Sequence, residues 1–148
     1  MIRLRNARVD DAVLCDLIRK ELIPHSHTVH WNDAPTIREL PKRFRRGVTF
    51  VAAAGKTAPP LGFIHLIAAG EWLYVDMLAV HPANRERGLG RQLLSACEAY
   101  GRERGCTAAF LFVDESNPGA RRFYERLGYS AAGFSPVTRC YEMVKRLV

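Results

Sequence analysis

The sequence predicts an α/β fold built around one mixed sheet. Apolar runs of strand length alternate with amphipathic segments of helical period, and turn-forming residues separate most of them. The predicted order of elements is β-α-α-β-β-β-α-β-α-β-β, which is typical of helices packed on a single sheet. The chain has 148 residues, 48% of them hydrophobic and 25% charged, so we expect one globular domain over residues 1–148.

The first third of the chain predicts a strand followed by two helices. Residues 2–4 alternate apolar and charged side chains, as in a strand with one solvated face. Asp10 or Asp11 is a suitable N-cap for a helix that runs to about Leu22. A second, basic helix is predicted at residues 36–46, between a proline and a glycine.

A polar loop between these two helices contains His25, His27 and His30. Histidines at such spacing can bind zinc, but the neighbouring sequence offers no closed set of four ligands. We therefore expect no metal site, and we interpret the loop as facing solvent or substrate.

Turn residues divide the middle of the chain into three strands. Residues 48–54 and 61–68 predict a hairpin, because glycine and proline mark their connection. Gly70-Glu71 then turns the chain into a largely buried strand at Trp72–Val80.

The last third predicts a further buried strand, a helix and two final strands. The strand covers residues 107–113, and Asn117-Pro118 has the N-cap and N1 residues of a helix that ends at Gly128. Residues 129–134 and 139–145 supply the final strands.

A short basic glycine loop, residues 85–91, joins the strand at Trp72–Val80 to a helix that ends at Gly105. Glycines let a ligand approach the backbone, and the free N–H groups of a helix start attract phosphate, as do arginines. The periodicity places an apolar face of this helix in the core and a polar face in solvent: Leu89, Leu93, Leu94, Cys97 and Tyr100 on the first, Arg91, Ser95, Glu98 and Arg102 on the second.

The net charge favours an anionic ligand. The chain has 22 Lys and Arg against 15 Asp and Glu, a formal charge of +7. The basic residues are scattered apart from one cluster at residues 42–46, and no nucleic-acid-binding motif accompanies it. Nucleic-acid binding by that helix is one alternative, and a multiply phosphorylated cofactor is the other.

Several features favour a cytoplasmic protein. The chain begins with charged residues and has no apolar h-region, so we expect no signal peptide. Its longest apolar zone, residues 61–80, is interrupted by polar residues and predicts two strands instead of a membrane span. The four cysteines include no CxxC pair, and we interpret them as reduced and structural: Cys15, Cys97, Cys106 and Cys140.

The glycine loop fits neither of two common phosphate-binding motifs. A P-loop requires lysine and then serine or threonine after its last glycine, whereas Gly90 is followed by Arg91 and Gln92. The dinucleotide fingerprint requires a third glycine, which this loop lacks.

The loop resembles the acetyl-CoA-binding motif of the GCN5-related N-acetyltransferases, Gln/Arg-x-x-Gly-x-Gly/Ala, at every specified position from Arg85 to Gly90. Asn117, Ala120 and Tyr124, followed by Gly128-Tyr129, resemble the family's second signature. The resemblance covers nearly the whole chain and is weakest at residues 22–47. It implies a mostly antiparallel sheet flanked by helices, with a splayed pair of strands that binds acetyl-CoA.

The resemblance also implies roles for individual residues. Backbone groups of Leu78, Ala79 and Val80 would bind the pantetheine arm, and an N–H there would stabilise the tetrahedral oxyanion. Tyr124 would protonate the departing thiolate, and Asn117 would contact CoA in addition to capping its helix. The pyrophosphate would be bound by the loop residues Arg85, Glu86, Arg87, Gly88, Leu89, Gly90 and Arg91.

The general base is less well specified. Asp76 interrupts an apolar strand near the expected cleft and is our first candidate, and Tyr74, His81 and Glu115 are alternatives. Ordered water without a dedicated base is a further alternative.

The resulting hypothesis is an acetyl-CoA-dependent N-acetyltransferase that acts by direct transfer on a primary amine, carried by a small molecule or a protein N-terminus. We expect residues 22–47 and the loop at Ser135-Pro136 to select the acceptor. A non-catalytic acyl-CoA-binding regulatory module on the same fold is the alternative. We expect no nucleic-acid or membrane partner, no metal, and a monomer or a homodimer.

Overall fold

Seven strands and four α-helices form the part of the chain that a computed structural model describes, residues 1–25 and 34–148. The strands are β1 (Ile2–Leu4), β2 (Val48–Ala53), β3 (Pro60–Ala69), β4 (Trp72–Val80), β5 (Ala108–Asp114), β6 (Ser130–Ser135) and β7 (Cys140–Arg146). The helices are α1 (Ala7–Leu17), α2 (Ala34–Arg45), α3 (Leu89–Glu103) and α4 (Pro118–Arg126). This is the predicted order of elements. A π-helical turn at Ile18–Leu22 and a 3₁₀ turn at Ile23–His25 extend α1.

The strands form one sheet in the order β1-β2-β3-β4-β5-β7-β6. Every neighbouring pair is antiparallel except β4 and β5, which are parallel. The predicted mixed, mostly antiparallel sheet is therefore confirmed. The β4–β5 ladder covers only Trp72 to Tyr74 on the β4 side, and beyond Tyr74 the two strands separate.

A β-bulge at Asp76 reverses the side-chain alternation of β4. Leu66 of β3 lies opposite Val75, and His65 lies opposite Met77, so Asp76 has no partner in the ladder. Val75 packs in the core beneath α3 and α4, whereas Met77 packs in the second core beneath α1 and α2. The bulge thus lets one strand contribute to the cores on both faces of the sheet.

The first helix is capped by a residue other than the predicted one. Asn6 is the N-cap of α1, and its Oδ1 accepts a hydrogen bond from the N–H of Arg8 at 3.1 Å. Asp10 lies one turn further on, where it is buried and accepts from the N–H of Asn6 at 2.7 Å. Two hydrogen bonds from Arg3, at 2.7 and 2.9 Å, compensate its burial. The prediction of Asp10 or Asp11 as the N-cap was therefore wrong.

Glu98 is a second departure from the sequence prediction. It belongs to the polar face of α3 by periodicity, yet it is only 6% exposed. The Tyr129 hydroxyl donates to its Oε2 at 2.8 Å, and Lys145 Nζ lies 2.9 Å from its Oε1. These partners are distant in sequence, so helical periodicity could not reveal them.

The remaining predicted elements are observed with shifted ends. Asn117 and Pro118 open α4 as predicted, and Gly105, with a φ of 86°, follows the end of α3. The helix predicted at residues 36–46 begins at Ala34 and contains Pro41. Among the described helices, none combines the length and the apolar character that crossing a membrane requires.

Replacing Glu98 with alanine is expected to lower the free energy of unfolding by about 2–4 kcal/mol, because Lys145 and the Tyr129 hydroxyl lose a buried partner. Urea denaturation measures this change. The control is Glu103→Ala, at an exposed position of the same helix, with an expected effect within about 0.5 kcal/mol. Equal effects of the two substitutions would contradict a stabilising role for the buried cluster.

Candidate active site

Two clefts meet where β4 and β5 separate. The larger, about 660 Å³ in volume, lies against the glycine loop, and we call it the loop-side cleft. The smaller, about 340 Å³, lies against the bulged half of β4, and we call it the bulge-side cleft. The two share part of their lining: Leu22, Leu78, Asn117, Ala120 and Tyr124. Molecules bound in the two clefts would therefore meet at this common wall.

The loop-side cleft brings together all but one of the residues predicted to bind the cofactor. Its lining includes Leu78, Ala79, Val80, Arg85, Glu86, Gly88, Leu89, Gly90, Arg91, Asn117 and Tyr124. The exception is Arg87, which does not line it. Glu21 and Phe123 line it as well and were not among the residues predicted to bind the cofactor.

Gly88 is required in the loop for its backbone conformation. It is the N-cap of α3 and has a φ of 76°, in the left-handed region that disfavours residues with a Cβ. The first N–H groups of α3 follow directly and have no acceptor within the helix. Because they lie at the positive end of the helix dipole, these groups form an anion-binding site.

Gly90 is constrained by space instead of by its backbone conformation. A Cβ atom at this position would lie 3.3 Å from the Cζ atom of Phe123 in α4. The absence of a side chain thus lets the start of α3 approach α4 closely. This contact holds the glycine loop next to the helix that contains Tyr124.

The arginines of the loop are exposed, and one of them has an acidic partner. Arg85 forms an ion pair with Glu21, with a distance of 2.5 Å from its guanidinium to Oε2. Glu21 belongs to the π-helical turn that follows α1, so this pair connects the loop to the N-terminal region.

Within the described part of the chain, the β4 edge that faces the splay pairs with no strand beyond Tyr74. On its other edge, Leu78, Ala79 and Val80 pair with Ile64, Phe63 and Gly62 of β3. On the β5 side, the ladder has already ended at Tyr74 and Phe110. An elongated ligand with amide groups can therefore pair with this edge as another strand would.

Tyr124 lies in the wall shared by the clefts. Its ring is 9% exposed and packs edge-on against Phe123 and Tyr129, with centroid distances of 5.1 and 5.7 Å. Burial raises the pKa of its hydroxyl above the ordinary value, so the group remains protonated at neutral pH.

Asn117 is the predicted N-cap of α4 and also faces the clefts. Its Oδ1 accepts from the N–H of Ala120 at 3.2 Å, as expected of an N-cap. It also lies in the wall common to both clefts.

Asp76 lines the bulge-side cleft, and its carboxylate is held by α2. The guanidinium of Arg43 binds both carboxylate oxygens, and Nε donates to Oδ2 at 2.8 Å. The Asp76 side chain is only 1% exposed. Sequence reasoning did not identify this pairing, because the two residues are 33 positions apart.

His65 and Tyr74 complete the surroundings of Asp76. His65 Nε2 lies 3.8 Å from Asp76 Oδ2, and its Nδ1 lies 2.8 Å from Thr49 Oγ1. Burial lowers the pKa of His65, which favours a neutral imidazole. Burial, with a smaller contribution from the Asp76 charge, raises the pKa of Tyr74 to about 12.

The other base candidates from the sequence have different positions. Tyr74 lines the bulge-side cleft, whereas His81 and Glu115 line neither cleft. His81 Nδ1 accepts from the N–H of Ala83 at 3.2 Å, and Glu115 forms an ion pair with Arg139.

Of the two regions expected to select the acceptor, one lines the bulge-side cleft and the other lines neither cleft. Leu22, Ile23, Leu40 and Arg43, from the stretch between 22 and 47, line the bulge-side cleft. Ser135 and Pro136 line neither cleft. The loop with His27 and His30 falls outside the described residues.

Comparison with known proteins identifies a family. The sequence model of the acetyltransferase (GNAT) family matches residues 14–129. Acetyltransferase Atu2258 of Agrobacterium fabrum is 44% identical over 62 residues, which are 42% of this chain and 44% of that protein. Mycothiol acetyltransferase of Salinispora tropica is 31% identical over 138 residues, 87% of this chain and 44% of that protein. The match thus spans less than half the length of either relative.

Solved structures have the same fold. An acetyltransferase of the GNAT family from Staphylococcus aureus Mu50 superposes with a TM-score of 0.78, at 17% identity, over 100% of this chain and 99% of that one. The PaiA N-acetyltransferase from Thermoplasma acidophilum, solved in complex with coenzyme A, gives 0.76 at 15% identity, with 99% of both chains covered. At these identities the likeness concerns the fold alone.

Gly88→Ala is expected to lower the free energy of unfolding by about 1 kcal/mol, because alanine is strained at the left-handed conformation of residue 88. The matched control is Gly90→Ala in the same loop, where the tip of the Phe123 ring can shift to accept a methyl group. We expect its effect to be less than half as large, by urea denaturation of both variants. A larger loss in the control would contradict these separate roles of the glycines.

Proposed function

Because the chain belongs to the acetyltransferase (GNAT) family, we propose that it transfers the acetyl group of acetyl-CoA to a primary amine, directly and within one ternary complex. The observation that carries this proposal is that the two clefts meet at Tyr124 and Leu78. A donor in one cleft and an acceptor in the other would have their reacting groups at the same wall. Direct transfer then needs no covalent enzyme intermediate.

In this proposal acetyl-CoA would occupy the loop-side cleft. Its pyrophosphate would bind the N–H groups at the start of α3, where Gly88 leaves the backbone accessible. Its pantetheine amides would pair with the free edge of β4 at Leu78–Val80. A main-chain N–H of that edge would then stabilise the negative charge that develops on the thioester oxygen. Arg85 can join the phosphates if it exchanges its exposed ion pair with Glu21, which costs little.

The acceptor amine would enter through the bulge-side cleft and must lose a proton before it attacks. Asp76 and Asp114 are the carboxylates that line this cleft. We propose that Asp76 accepts this proton, because it lies on the strand that continues to Leu78 in the common wall. An incoming ammonium group would share the Asp76 carboxylate with Arg43.

Tyr124 would supply the proton for the other half of the reaction. Attack on the thioester carbon forms a C–N bond, and collapse of the tetrahedral intermediate breaks the C–S bond and releases a thiolate. The buried hydroxyl of Tyr124 remains protonated and lies in the wall where this sulfur would arrive.

The proposed function is tested by two measurements on the same protein. Calorimetry reports the binding of acetyl-CoA, and a thiol-release assay across a panel of amines and short peptides reports transfer. We expect binding and amine-dependent release of CoA. Binding without release for every amine would favour the non-catalytic acyl-CoA-binding alternative, and absence of binding would refute both.

Tyr124→Phe is expected to lower kcat by about ten- to a hundredfold, because the thiolate would leave without an acid. The affinity for acetyl-CoA, measured by calorimetry, should change little. The control is Tyr100→Phe in α3, whose ring lies outside both clefts and contacts Arg104. Unchanged turnover of the Tyr124 variant would exclude it as the acid.

Asp76→Asn is expected to lower kcat/KM at neutral pH by at least about tenfold, within the range of general base catalysis. Activity should recover as the pH rises, because the acceptor amine then loses its proton without help. Arg43→Lys is the matched variant, since it keeps a cation beside Asp76 and loses the two-point contact. Equal losses with the same pH profile in both variants would assign Asp76 a structural role through the ion pair.

A further inference from the structure

Four aromatic side chains form a surface on the sheet beside the bulge-side cleft. They are Trp72 and Tyr74 of β4 and Phe110 and Phe112 of β5, and we call them the aromatic shelf. Tyr74 stacks on Phe110 with a centroid distance of 4.9 Å, and Trp72 and Phe112 meet Phe110 edge-on at 5.6 and 6.0 Å. Trp72 is 49% exposed and Phe112 is 52% exposed.

The alternation of β5 explains why these rings face outward. Ala109, Leu111 and Val113 point into the core beneath α3 and α4, so Phe110 and Phe112 point to the opposite face. The core on that face, beneath α1 and α2, is built on β2, β3 and the second half of β4, and it includes no residue of β5. A contiguous exposed aromatic surface of this kind is uncommon unless it binds something.

The shelf is continuous with the bulge-side cleft. Tyr74 and Phe112 belong to both, and the cleft continues from them to Tyr124 at the common wall. Much of the remaining lining is apolar: Ile18, Leu22, Ile23, Leu40, Met77 and Leu78. An acceptor with its amine at the common wall would therefore have the rest of its body against apolar and aromatic side chains.

The charges of the cleft restrict the acceptor further. Arg43 is neutralised by Asp76, and Asp114 adds a second carboxylate to the lining. Because Arg43 is paired with Asp76, the described lining of this cleft offers no uncompensated cation to an anionic acceptor.

We infer that the acceptor is a primary amine carried on an aromatic or bulky apolar body, which lies on the aromatic shelf while the amine reaches Asp76 and Tyr124. This inference rests on the proposed function. Two sources have this chemistry, namely a small arylalkylamine and a peptide whose first residue is aromatic. Contact between aromatic rings adds to the favourable burial of apolar area.

The test compares matched acceptors at saturating acetyl-CoA. The small-molecule pair is 2-phenylethylamine and propylamine, and the peptide pair is Phe-Gly-Gly and Ser-Gly-Gly. We expect the aromatic member of at least one pair to have a kcat/KM about tenfold or more above its partner, as hydrophobic pockets usually discriminate. The pair with the larger ratio identifies the source.

Phe112→Ala is expected to reduce that ratio by about tenfold, because it removes the ring at the junction of shelf and cleft. Phe134→Ala is the matched control, since Phe134 is also exposed but lies beside Tyr141, away from both clefts. It should leave the ratio unchanged. An unchanged ratio in the Phe112 variant would refute the role of the shelf.

The outcomes separate this inference from the proposed function. Acetylation of propylamine and 2-phenylethylamine at equal efficiency, and likewise of both peptides, would refute the apolar acceptor and leave the transferase intact. If acetyl-CoA binds but none of the four acceptors releases CoA, while amines elsewhere in the panel do, the inference alone fails. No release with any amine would refute the transferase and the inference together.

Discussion

The architecture around the two clefts depends on one extra residue in β4. Without the bulge at Asp76, Met77 and Ala79 would continue the alternation set by Leu73 and Val75 and would point beneath α3. The core beneath α1 and α2 would lose both side chains. The bulge also lies just beyond the point where β4 leaves β5, and bulged strands bend. The single inserted residue thus lets β4 supply side chains to the second core. It also lies next to the splay and places a carboxylate there.

Buried carboxylates are the second constraint, and each is neutralised from another element. Asp10 of α1 binds Arg3 of β1, Asp76 of β4 binds Arg43 of α2, and Glu98 of α3 binds Lys145 of β7. A buried charge is tolerated only with a partner, so each pair fixes one element relative to another. Two of the pairs fasten α1 and α2, the helices on one face of the sheet, and the third fastens α3 on the other face. The helices on the two faces of the sheet are therefore anchored independently.

Sequence reasoning succeeded where the information is local. Periodicity and turn residues gave the order of the elements, and Asn117-Pro118 and Gly105 gave helix ends, because these signals act within a few residues. It failed where the deciding partner is remote. Glu98 has the periodicity of a solvent-facing residue, and only Tyr129 and Lys145, 31 and 47 positions away, make its burial favourable.

The same distinction between local and remote information applies to the candidate site. The loop and Tyr124 could be singled out from short motifs, and the residues named for cofactor binding, except Arg87, line the loop-side cleft. Their binding of a cofactor stays a prediction. The bulge was not predictable, because its register is defined by pairing with β3. The aromatic shelf was not predictable either. The alternation of side chains along a strand separates its two faces, but it does not reveal which face a helix covers.

The two glycines of the loop place different demands on a sequence. Position 88 needs a residue that tolerates a positive φ, which glycine does without strain and most other residues do not. Position 90 needs only a small residue, because the obstacle there is the tip of a phenylalanine ring that can move by a few tenths of an ångström. The family pattern, with glycine alone at the first position and glycine or alanine at the second, has the same asymmetry. The residue type at position 88 is thus explained by a backbone torsion angle, and that at position 90 by the distance between two helices.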